Sequence, residues 1–534
     1  MNGAAVDAGS GGGDALPRHA ARTGARAAPR SGVRGLVDRW FFRRVDAASL
    51  AVFRIGFGAL MLFEAVNYGF FLCLDCMYRE TDFLFKYSGF EWVRLPPGIG
   101  LELGFVAMAL GAAGVMLGLF FRASALLLLA TFSYLFLLDQ ALYLNHFYLA
   151  ILYLAILACT PANRLWSLDA RRRPEIASAT IPNWPRFWLG AQTEIVLLYA
   201  GIVKLNADWL QLEPMRLWMN YRSADAAPLF QWLTQDWGIA AASYGAIALH
   251  LVGAPLLLWR RTRLPVLGVY AFFHLTNAFT FNIGIFPFMT FAATLMLFDA
   301  NWPRQFARWL RARLGLAPRA NAGEAAVATA AADTPADRAP DRPPGRLART
   351  LDAVAREPRI EADAAAAGSS AAGGPSSPVR AFVVAGVLGW LVLQCVVPLR
   401  HLAAPGDVAW NEDGHRFSWR MKLRSKVGRA SFVVVHPDGT REVVDPADHL
   451  NRKQVRKMAC IPDLVWQFAQ FVETDYRRAP DEDVAVHAWT SCSLNTREPI
   501  ALVRRQVDLT AIERDTPTQE WLMPNRKPLP QRVF

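Results

Sequence analysis

The chain has 534 residues and is 53% hydrophobic, with 18 Trp and 33 Phe. Apolar runs of near-spanning length recur along it, which indicates a polytopic membrane protein rather than a set of soluble domains. The formal net charge of +12 does not point to nucleic acid as a partner. The basic residues flank the apolar runs, where they orient a protein in a lipid bilayer, and the bilayer is therefore the first predicted partner.

The predicted fold is a mainly α membrane protein with about nine transmembrane helices and a small α+β extracytoplasmic domain at its C-terminal end. Residues 1–44 are predicted to be a disordered basic tail, because Gly, Ala and Arg dominate and no apolar periodicity occurs. A multi-span domain is predicted over 45–314 and a last transmembrane helix over 380–399. The apolar runs lie near 47–71, 100–119, 122–139, 147–160, 187–203, 238–259, 265–281, 284–298 and 380–398.

Composition defines two further segments. Residues 315–379 are rich in Ala, Pro, Gly, Ser and Asp, which predicts a disordered cytoplasmic linker. Residues 400–534 are predicted to form a soluble α+β domain, in which Asp438-Gly439 is a hairpin turn. Its predicted strands cover 417–423, 431–436, 442–444 and 484–490, and a helical pattern covers 451–475.

The arginines predict the orientation of the chain. If nine spans alternate, the arginine clusters of the loops fall on one side, and we expect that side to be cytoplasmic. The N-terminus is then cytoplasmic and the C-terminal domain is outside. Because the composition is biased towards Ala and Arg, we expect a bacterial inner membrane with this domain in the periplasm. The clustered residues are Arg164, Arg171, Arg172, Arg173, Arg260, Arg261, Arg263, Arg304, Arg308, Arg311 and Arg313.

The six cysteines do not predict a metal site. Cys73 and Cys76 form a lone C-x-x-C, without the second pair or the nearby histidines that a zinc site needs. We predict that they are unpaired small residues near a membrane edge.

Polar residues from four separate predicted spans lie at a matching outer depth. Because polar groups are costly in lipid, their coincidence predicts one shared pocket at the outer leaflet. Two alternatives stay open. The ammonium of Lys204 could reach the interface along its apolar stem, and His146 and His401 could be ordinary interfacial residues. The predicted pocket residues are His146, Lys204, His274, Asn277, Gln394 and His401.

Four other residues have structural predictions. Arg54 and Glu64 on the first span are expected to form an ion pair within the bundle. Asp208 is expected to pair with a cation or to cap a helix, and Trp209 to anchor the chain at the membrane interface.

Several short motifs, in order, resemble the vitamin K-dependent γ-glutamyl carboxylase family. The similarity covers roughly residues 45–310 and 380–510, and the membrane part resembles the HTTM domain found across bacteria. The C-terminal domain contributes Phe417-Ser418-Trp419 with Met421. The motifs of the membrane part are Asp46–Arg54, Asn145–Leu149, Lys204–Trp209 and Phe273–Asn277.

This resemblance implies an enzyme that couples oxidation of a reduced quinone by O2 to carboxylation of a glutamyl side chain with CO2. In the family, a lysine at the position of Lys204 deprotonates reduced vitamin K, which reacts with O2 to the epoxide and yields a strong base. That base removes the γ-proton of glutamate, and the carbanion captures CO2. A buried amine suits the first step, because burial disfavours the charged form of a lysine. The implied cofactor is a hydroquinone of the vitamin K type, without a metal, and the implied acceptor is a glutamate-containing protein or peptide.

The resemblance also implies roles for individual residues. Lys204 and His146 are the implied catalytic residues. Ser418, Trp419 and Arg222 are the implied contacts of the glutamyl substrate. The quinone oxygens are implied to be bound by Asn145, His274, Asn277, Gln394 and His401, as hydrogen-bond donors that stabilise developing negative charge.

Three departures from the family pattern concern the acceptor. Cys460 matches a cysteine that forms a disulfide in the animal enzymes, but its partner position is Trp92, so that bridge is absent. Arg424 stands where the animal enzymes have a histidine, and Arg504-Arg505-Gln506 replaces an Asp-Pro pair. Two other functions therefore stay open. One is a quinol-dependent oxygenase that carboxylates nothing, and the other is a non-enzymatic transporter or lipid-binding membrane protein.

Overall fold

A computed structural model of the protein describes residues 32–222, 231–232, 234–281, 283–316, 377–525 and 527–529. Most of the predicted tail and most of the predicted linker lie outside the described residues. The described chain folds into a helical membrane domain and a C-terminal domain that contains a small sheet.

The main helices of the membrane domain coincide with the nine predicted apolar segments. π-helical turns extend two of them, over Asn67–Phe71 and Leu249–Gly253. The helices are α1 Ala48–Val66, α2 Gly100–Leu117, α3 Phe121–Leu137, α4 Asn145–Cys159, α5 Trp184–Ile202, α6 Asp236–Ala248, α7 Arg263–Phe281, α8 Phe286–Thr294 and α9 Ser377–Val396. Shorter helices are Val33–Val37, Leu168–Arg172, Ala207–Leu210, Met215–Arg222, Ala254–Leu257, Trp302–Arg313, Val408–Asn411 and Thr518–Trp521.

Five helical stretches within the described ranges are long and apolar enough to cross a membrane, so the prediction of nine spans is not confirmed. α3, α4 and α8 are apolar but shorter. At 1.5 Å per residue, α3 covers roughly 25 Å of a hydrocarbon core about 30 Å thick. α5 has 19 residues, but Arg186, Gln192 and Glu194 lower its mean hydropathy. The five stretches are Ala48–Phe71, Gly100–Leu117, Asp236–Leu257, Arg263–Phe281 and Pro378–Leu402.

Glycines allow α1, α2 and α3 to pack closely. A Cβ on Gly58 of α1 would lie 2.5 Å from the backbone nitrogen of Met116 on α2. A Cβ on Gly111 of α2 would lie 2.9 Å from the backbone nitrogen of Leu128 on α3. Side chains do not tolerate such contacts, so close packing of these three helices requires glycine at both positions.

The predicted ion pair between Arg54 and Glu64 is wrong. The two residues are ten positions apart on α1, which is roughly 15 Å along the helix axis. Arg54 is fully buried, and its Nη2 donates to the carbonyl of Trp166 at 2.6 Å. Glu64 instead lines a cavity together with Tyr68 and with Lys453 from the C-terminal domain.

Ordered elements begin inside the segment that was predicted as a tail. The helix Val33–Val37 continues into a π-helical turn, in which Phe41 packs against Phe187 with ring centroids 5.0 Å apart. β1 (Arg44–Asp46) then pairs with β2 (Thr180–Pro182) in an antiparallel arrangement. Apolar aromatic residues therefore tie this end of the described chain to α5.

The C-terminal domain contains a three-stranded antiparallel sheet and two helices. The strand order is β4-β3-β5, with β3 Lys426–Val435, β4 Arg441–Val444 and β5 Ala485–Leu494. α10 (Arg452–Met458) and α11 (Pro462–Tyr476) occupy the region that was predicted as one helix, and Pro462 begins the second. Phe468 of α11 packs on Phe432 of β3 with centroids 5.0 Å apart, so the helix covers the sheet.

The predicted hairpin is confirmed, but the predicted strand over 417–423 is wrong. β3 and β4 are joined through Gly439, which has a φ of 82°. Residues 417–423 instead form turns, with positive φ at Phe417, Trp419 and Lys422. Alternation of side chains predicted a strand there, but in the fold Trp419 is fully buried against the membrane domain.

Side-chain amides dock the C-terminal domain on the membrane domain. Gln454 of α10 donates to Asp139 at 3.1 Å and to the carbonyl of Phe83 at 2.9 Å. Gln467 of α11 accepts from the backbone nitrogen of Lys86 at 2.7 Å and donates to its carbonyl at 3.0 Å. These paired contacts fix how the domain sits above α3 and α4.

Two disulfides join cysteines that the sequence left unpaired. Cys73 and Cys76 are bonded, because the helical turn brings their Cα atoms to 5.3 Å, so the prediction of unpaired residues is wrong. Cys460 bonds to Cys492 of β5. Within the described chain, Cys73, Cys76 and Glu80 are also the one group of potential metal ligands, but the disulfide engages both sulfurs.

Candidate active site

Lys204 lies just after the end of α5. Its side chain is buried, and Nζ donates to the carbonyl of Ala200 at 2.6 Å. Nζ also lies 5.2 Å from the ring centroid of Trp209. Among the residues that the structure describes, no carboxylate pairs with this amine. The side chain turns back into apolar protein, the reverse of the direction that an interfacial, snorkelling lysine requires.

The residues that follow Lys204 form a tight cap and a short helix. Asn206 accepts from the backbone nitrogen of Trp209 at 3.0 Å. The prediction of Trp209 as an interface anchor is wrong, because its ring is buried and its Nε1 donates to the carbonyl of Ser243 on α6 at 3.0 Å. Asp208 pairs with Arg497, which confirms the prediction of a cationic partner.

His250 lies near Lys204, and the sequence analysis missed it. A Cβ at Gly201 would lie 2.9 Å from the Cβ of His250, so glycine at the end of α5 permits the close approach. Nδ1 of His250 lies 2.6 Å from the carbonyl of Ala246, a geometry in which Nδ1 donates and Nε2 stays an acceptor. A histidine within an apolar run, on a π-helical turn, was the available signal.

His274 is a buried histidine with both ring nitrogens free of partners in the described chain. Its side chain is 4% exposed, and neither Nδ1 nor Nε2 has a hydrogen-bond partner there. The ring packs against Tyr270 and Phe273, with centroids 5.9 and 5.5 Å away. Phe273 also contacts His250 at 5.2 Å. Because a buried polar group costs free energy unless it is hydrogen-bonded, this ring is suited to take a polar ligand.

His146, near the start of α4, reaches the same aromatic cluster. Its ring lies 6.1 Å from that of Phe286, which is also 6.4 Å from the ring of His274. Gly284 faces the imidazole, since a Cβ there would lie 3.6 Å from Nε2 of His146. Phe286 and Phe273 therefore connect three histidines, His146, His274 and His250.

A second group of predicted residues meets where α4, α5, α9 and the C-terminal domain join. Tyr148 lies near Gln394 and stacks on Trp419, with centroids 5.0 Å apart. Gln394 accepts from Gln192 at 3.5 Å, and Gln192 accepts from Nε1 of Trp390 at 2.8 Å. Gln394 is thus buried inside the bundle, beside Tyr148, on which Trp419 stacks.

Asn145 connects this junction to the predicted substrate segment. It accepts from the hydroxyl of Tyr143 at 3.0 Å, and the same hydroxyl accepts from the backbone nitrogen of Phe417 at 2.8 Å. Ser418 donates to the carbonyl of Gly414 at 2.6 Å, so its hydroxyl stabilises the local turn. The Ser-Trp segment is therefore fixed to α4 at both Phe417 and Trp419.

The other predicted site residues lie around these two groups. Asn277 is half-buried on α7, one turn after His274. His401 lies at the junction, where its Nδ1 is 2.8 Å from the carbonyl of Pro398. Arg222 ends the helix Met215–Arg222, and its side chain lies outside the described residues.

A buried charge cluster in the C-terminal domain surrounds Glu412. The carboxylate accepts from Nζ of Lys426 at 2.8 Å and pairs with Arg424, and His415 lies 3.9 Å away. Burial alone would raise the pKa of Glu412, but Arg424 and Lys426 outweigh it and hold that pKa well below its usual range. Burial also lowers the pKa of Lys426, because its desolvation outweighs the attraction of Glu412.

Two family models match the chain in the order of its domains. The HTTM domain matches residues 42–302, which contain Lys204 and the three histidines. The vitamin K-dependent gamma-carboxylase lumenal domain matches residues 379–528, which contain the Ser-Trp segment. No solved structure matches the chain. Both parts of the candidate site thus lie in domains of one family, and the chain belongs to the vitamin K-dependent γ-carboxylase family.

Proposed function

We propose that this protein is a membrane γ-glutamyl carboxylase-like enzyme, which couples oxidation of a reduced vitamin K-type quinone by O2 to carboxylation of a glutamyl side chain. The family supports a vitamin K-dependent, carboxylase-like function. The observation that carries the finer proposal is that a buried amine and a buried imidazole without a partner in the described chain both border one hydrophobic cluster, through Trp209 and Phe273.

The residues present fit a hydroquinone. A flat apolar ring with polar groups at both ends suits the cluster of Phe273, Phe286 and histidine rings, in which the nitrogens of His274 have no partner within the described chain. In this proposal Nζ of Lys204 accepts a proton from one hydroxyl, because a buried amine favours its neutral form. His274 and His146 donate to or accept from the oxygens. Bound reduced vitamin K supplies, with O2, the strong base that the carboxylation of glutamate needs.

The acceptor side of the proposed site is the segment Phe417–Trp419. Its left-handed backbone at Phe417 and Trp419 is costly for non-glycine residues, and such strain is typical of functional positions. Asn145, through Tyr143, and Gln394, through Tyr148, connect this segment to α4. We assign the contacts of the glutamyl side chain to this segment and to Arg222, and further contacts of the quinone to His401 and Asn277.

We further propose that all of α1–α9 cross the inner membrane of a bacterium, with the N-terminus in the cytoplasm and the C-terminal domain in the periplasm. Cys73–Cys76 lies on the side of the C-terminal domain, because Asn451 donates to the carbonyl of Met77 at 3.2 Å. Together with Cys460–Cys492, it favours an oxidising compartment for that side. The arginine-rich loops support a cytoplasmic location for the other side.

The test is to incubate the purified protein with reduced vitamin K, O2, labelled bicarbonate and a glutamyl peptide. Epoxide and fixed label are scored separately. Formation of both, dependent on Lys204, supports the carboxylase. Formation of neither, in a protein that is folded and monodisperse, would overturn the enzymatic proposal.

A quinol-dependent oxygenase is the second candidate, and one contact favours it. Arg424, at the position of the family's histidine, is engaged by Glu412 rather than left open for an acceptor. Epoxide without fixed label would select this function and retain the same role for Lys204.

A further inference from the structure

Asp208, four positions after Lys204 in the chain, is tied to the C-terminal domain. Asp208 accepts two hydrogen bonds from Arg497, each of 2.6 Å, one on each carboxylate oxygen. The amide of Asn495 also donates to Asp208. Both charged side chains are largely buried, at 15% and 14% exposed. A bidentate, charge-assisted contact of this kind sets geometry more strictly than a single salt bridge does.

On the membrane side, this ion pair controls the surroundings of the amine. Asp208 belongs to the short helix Ala207–Leu210, which Asn206 caps. The next residue is Trp209, whose ring faces Nζ of Lys204 at 5.2 Å. Fixing the carboxylate of Asp208 therefore fixes the ring against which the amine rests.

The ion pair also holds the charge of Asp208 away from the amine. A free carboxylate this near in the chain would favour the ammonium form of Lys204. In the observed arrangement, Arg497 and Asn495 take up both carboxylate oxygens.

On the other side, the ion pair leads back to the Ser-Trp segment. Asn495 and Ser425 exchange hydrogen bonds of 2.7 and 2.9 Å at the open end of β3 and β5. Ser425 directly follows the segment that runs from Phe417 to Arg424. One continuous path of backbone and hydrogen bonds thus connects the acceptor segment to Asp208.

We propose that Arg497 and Asp208 are positioning residues, which set the place and protonation of Lys204 and couple them to the acceptor segment of the C-terminal domain. The proposal rests on the proposed function of Lys204 as the base. Neither residue touches the reacting atoms, so their effect should fall on turnover and on the state of the amine rather than on quinol binding.

The test uses the full-length protein with Arg497→Ala, Arg497→Lys, Asp208→Asn and the exchanged pair Asp208→Arg with Arg497→Asp. Quinol turnover is measured together with the pH dependence of covalent labelling of Lys204 by an amine reagent, read by mass spectrometry. The labelling does not need activity, so it tests the positioning role even if the protein forms no epoxide. Arg478→Ala is the matched control, because Arg478 forms exposed ion pairs with Asp438 and Glu442 in the same domain.

We expect Arg497→Ala and Asp208→Asn to lower kcat by roughly tenfold or more with little change in KM, as displaced catalytic groups do. The pH dependence of Lys204 labelling should change in both of these variants. Arg497→Lys should have a smaller effect on turnover and on labelling. The exchanged pair should recover part of the wild-type profile. Wild-type turnover and labelling in a folded Arg497→Ala or Arg497→Lys variant would overturn the proposal.

Discussion

His146 and His274 face the same ring, that of Phe286, from α4 and α7, at centroid distances of 6.1 and 6.4 Å. Neither residue is close to the other in sequence, so the contact depends on the packing of the whole bundle. Phe286 begins α8, whose preceding Gly284 has a φ of 59°. This part of the site is therefore built from three helices, α4, α7 and α8, rather than from one motif.

Replacement of Lys204 separates a base from an interfacial cation. Lys204→Ala should lower quinol oxidation by roughly a hundredfold or more, because it removes the proposed general base. Lys204→Arg should fail as well, since a guanidinium keeps its proton. Epoxide formation is the measurement, and membrane insertion of both variants is the control. Wild-type turnover of the arginine variant would contradict a catalytic role.

Gly201 should be the glycine on which the close contact between α5 and His250 depends. A Cβ there would lie 2.9 Å from the Cβ of His250 and 2.7 Å from Leu251. Gly201→Ala should therefore push the two helices apart, cost about 1–3 kcal/mol of stability and lower activity. Gly245→Ala on α6 is the matched control, because its Cβ meets open space. Equal effects of the two substitutions on thermal stability and turnover would refute the contact.

Glu412 should make the C-terminal domain sensitive to acid. Because its pKa is lower in the folded protein, its stabilisation is complete above the pKa of the unfolded chain, about 4.3, and is lost as the pH falls below that value. Glu412→Gln leaves Arg424 and Lys426 without their carboxylate and should cost about 3–5 kcal/mol at pH 7. Thermal unfolding between pH 7 and pH 3 measures both effects.

The pH series should separate the variant from the wild-type protein. The stability of the wild type should fall below about pH 4.5, whereas that of Glu412→Gln should change less over the same range. Glu498→Gln is the control, because Glu498 forms an exposed pair with Lys527. A parallel fall in all three proteins would show that Glu412 is not the titrating group.

Reporter fusions test the proposed orientation. Fusions after Arg173, or within 315–379, should report the cytoplasm, and fusions after Pro405 should report the periplasm, because arginine-rich loops stay inside. Each fusion site is read with a cytoplasmic and a periplasmic reporter as mutual controls. A cytoplasmic signal after Pro405 would reverse the orientation and with it the location of both disulfides.

Local patterns predicted the elements of the fold, but long-range contacts decided its details. The apolar runs located α1–α9, and Asp438-Gly439 located the hairpin of β3 and β4. Alternation at 417–423 suggested a strand, yet a strand forms only where a neighbour supplies hydrogen bonds. The pairing of Cys460 with Cys492 could not be read from spacing, because several pairings fit the same cysteines.

The candidate site was predictable where a motif was present. The structure brings His146 and His274 to the ring of Phe286, and Lys204 to the ring of Trp209, but the role of each stays a prediction. His250 has no motif, and only its position opposite Gly201 connects it with the amine. The partner of Asp208 could not be found because Arg497 lies in the other domain.

Hydrogen bonds between side chains and backbone hold the last membrane helix, α9, against α5. Trp390 donates to Gln192 at 2.8 Å, and Tyr199 donates to the carbonyl of Cys395 at 2.5 Å. The amides of Gln454 and Gln467 fasten the domain that α9 carries. The contacts between residues 32–316 and residues 377–529 thus resemble those between the two subunits of a heterodimer. If the gene were divided within codons 317–376, the two resulting polypeptides would contain complementary surfaces through which they could associate.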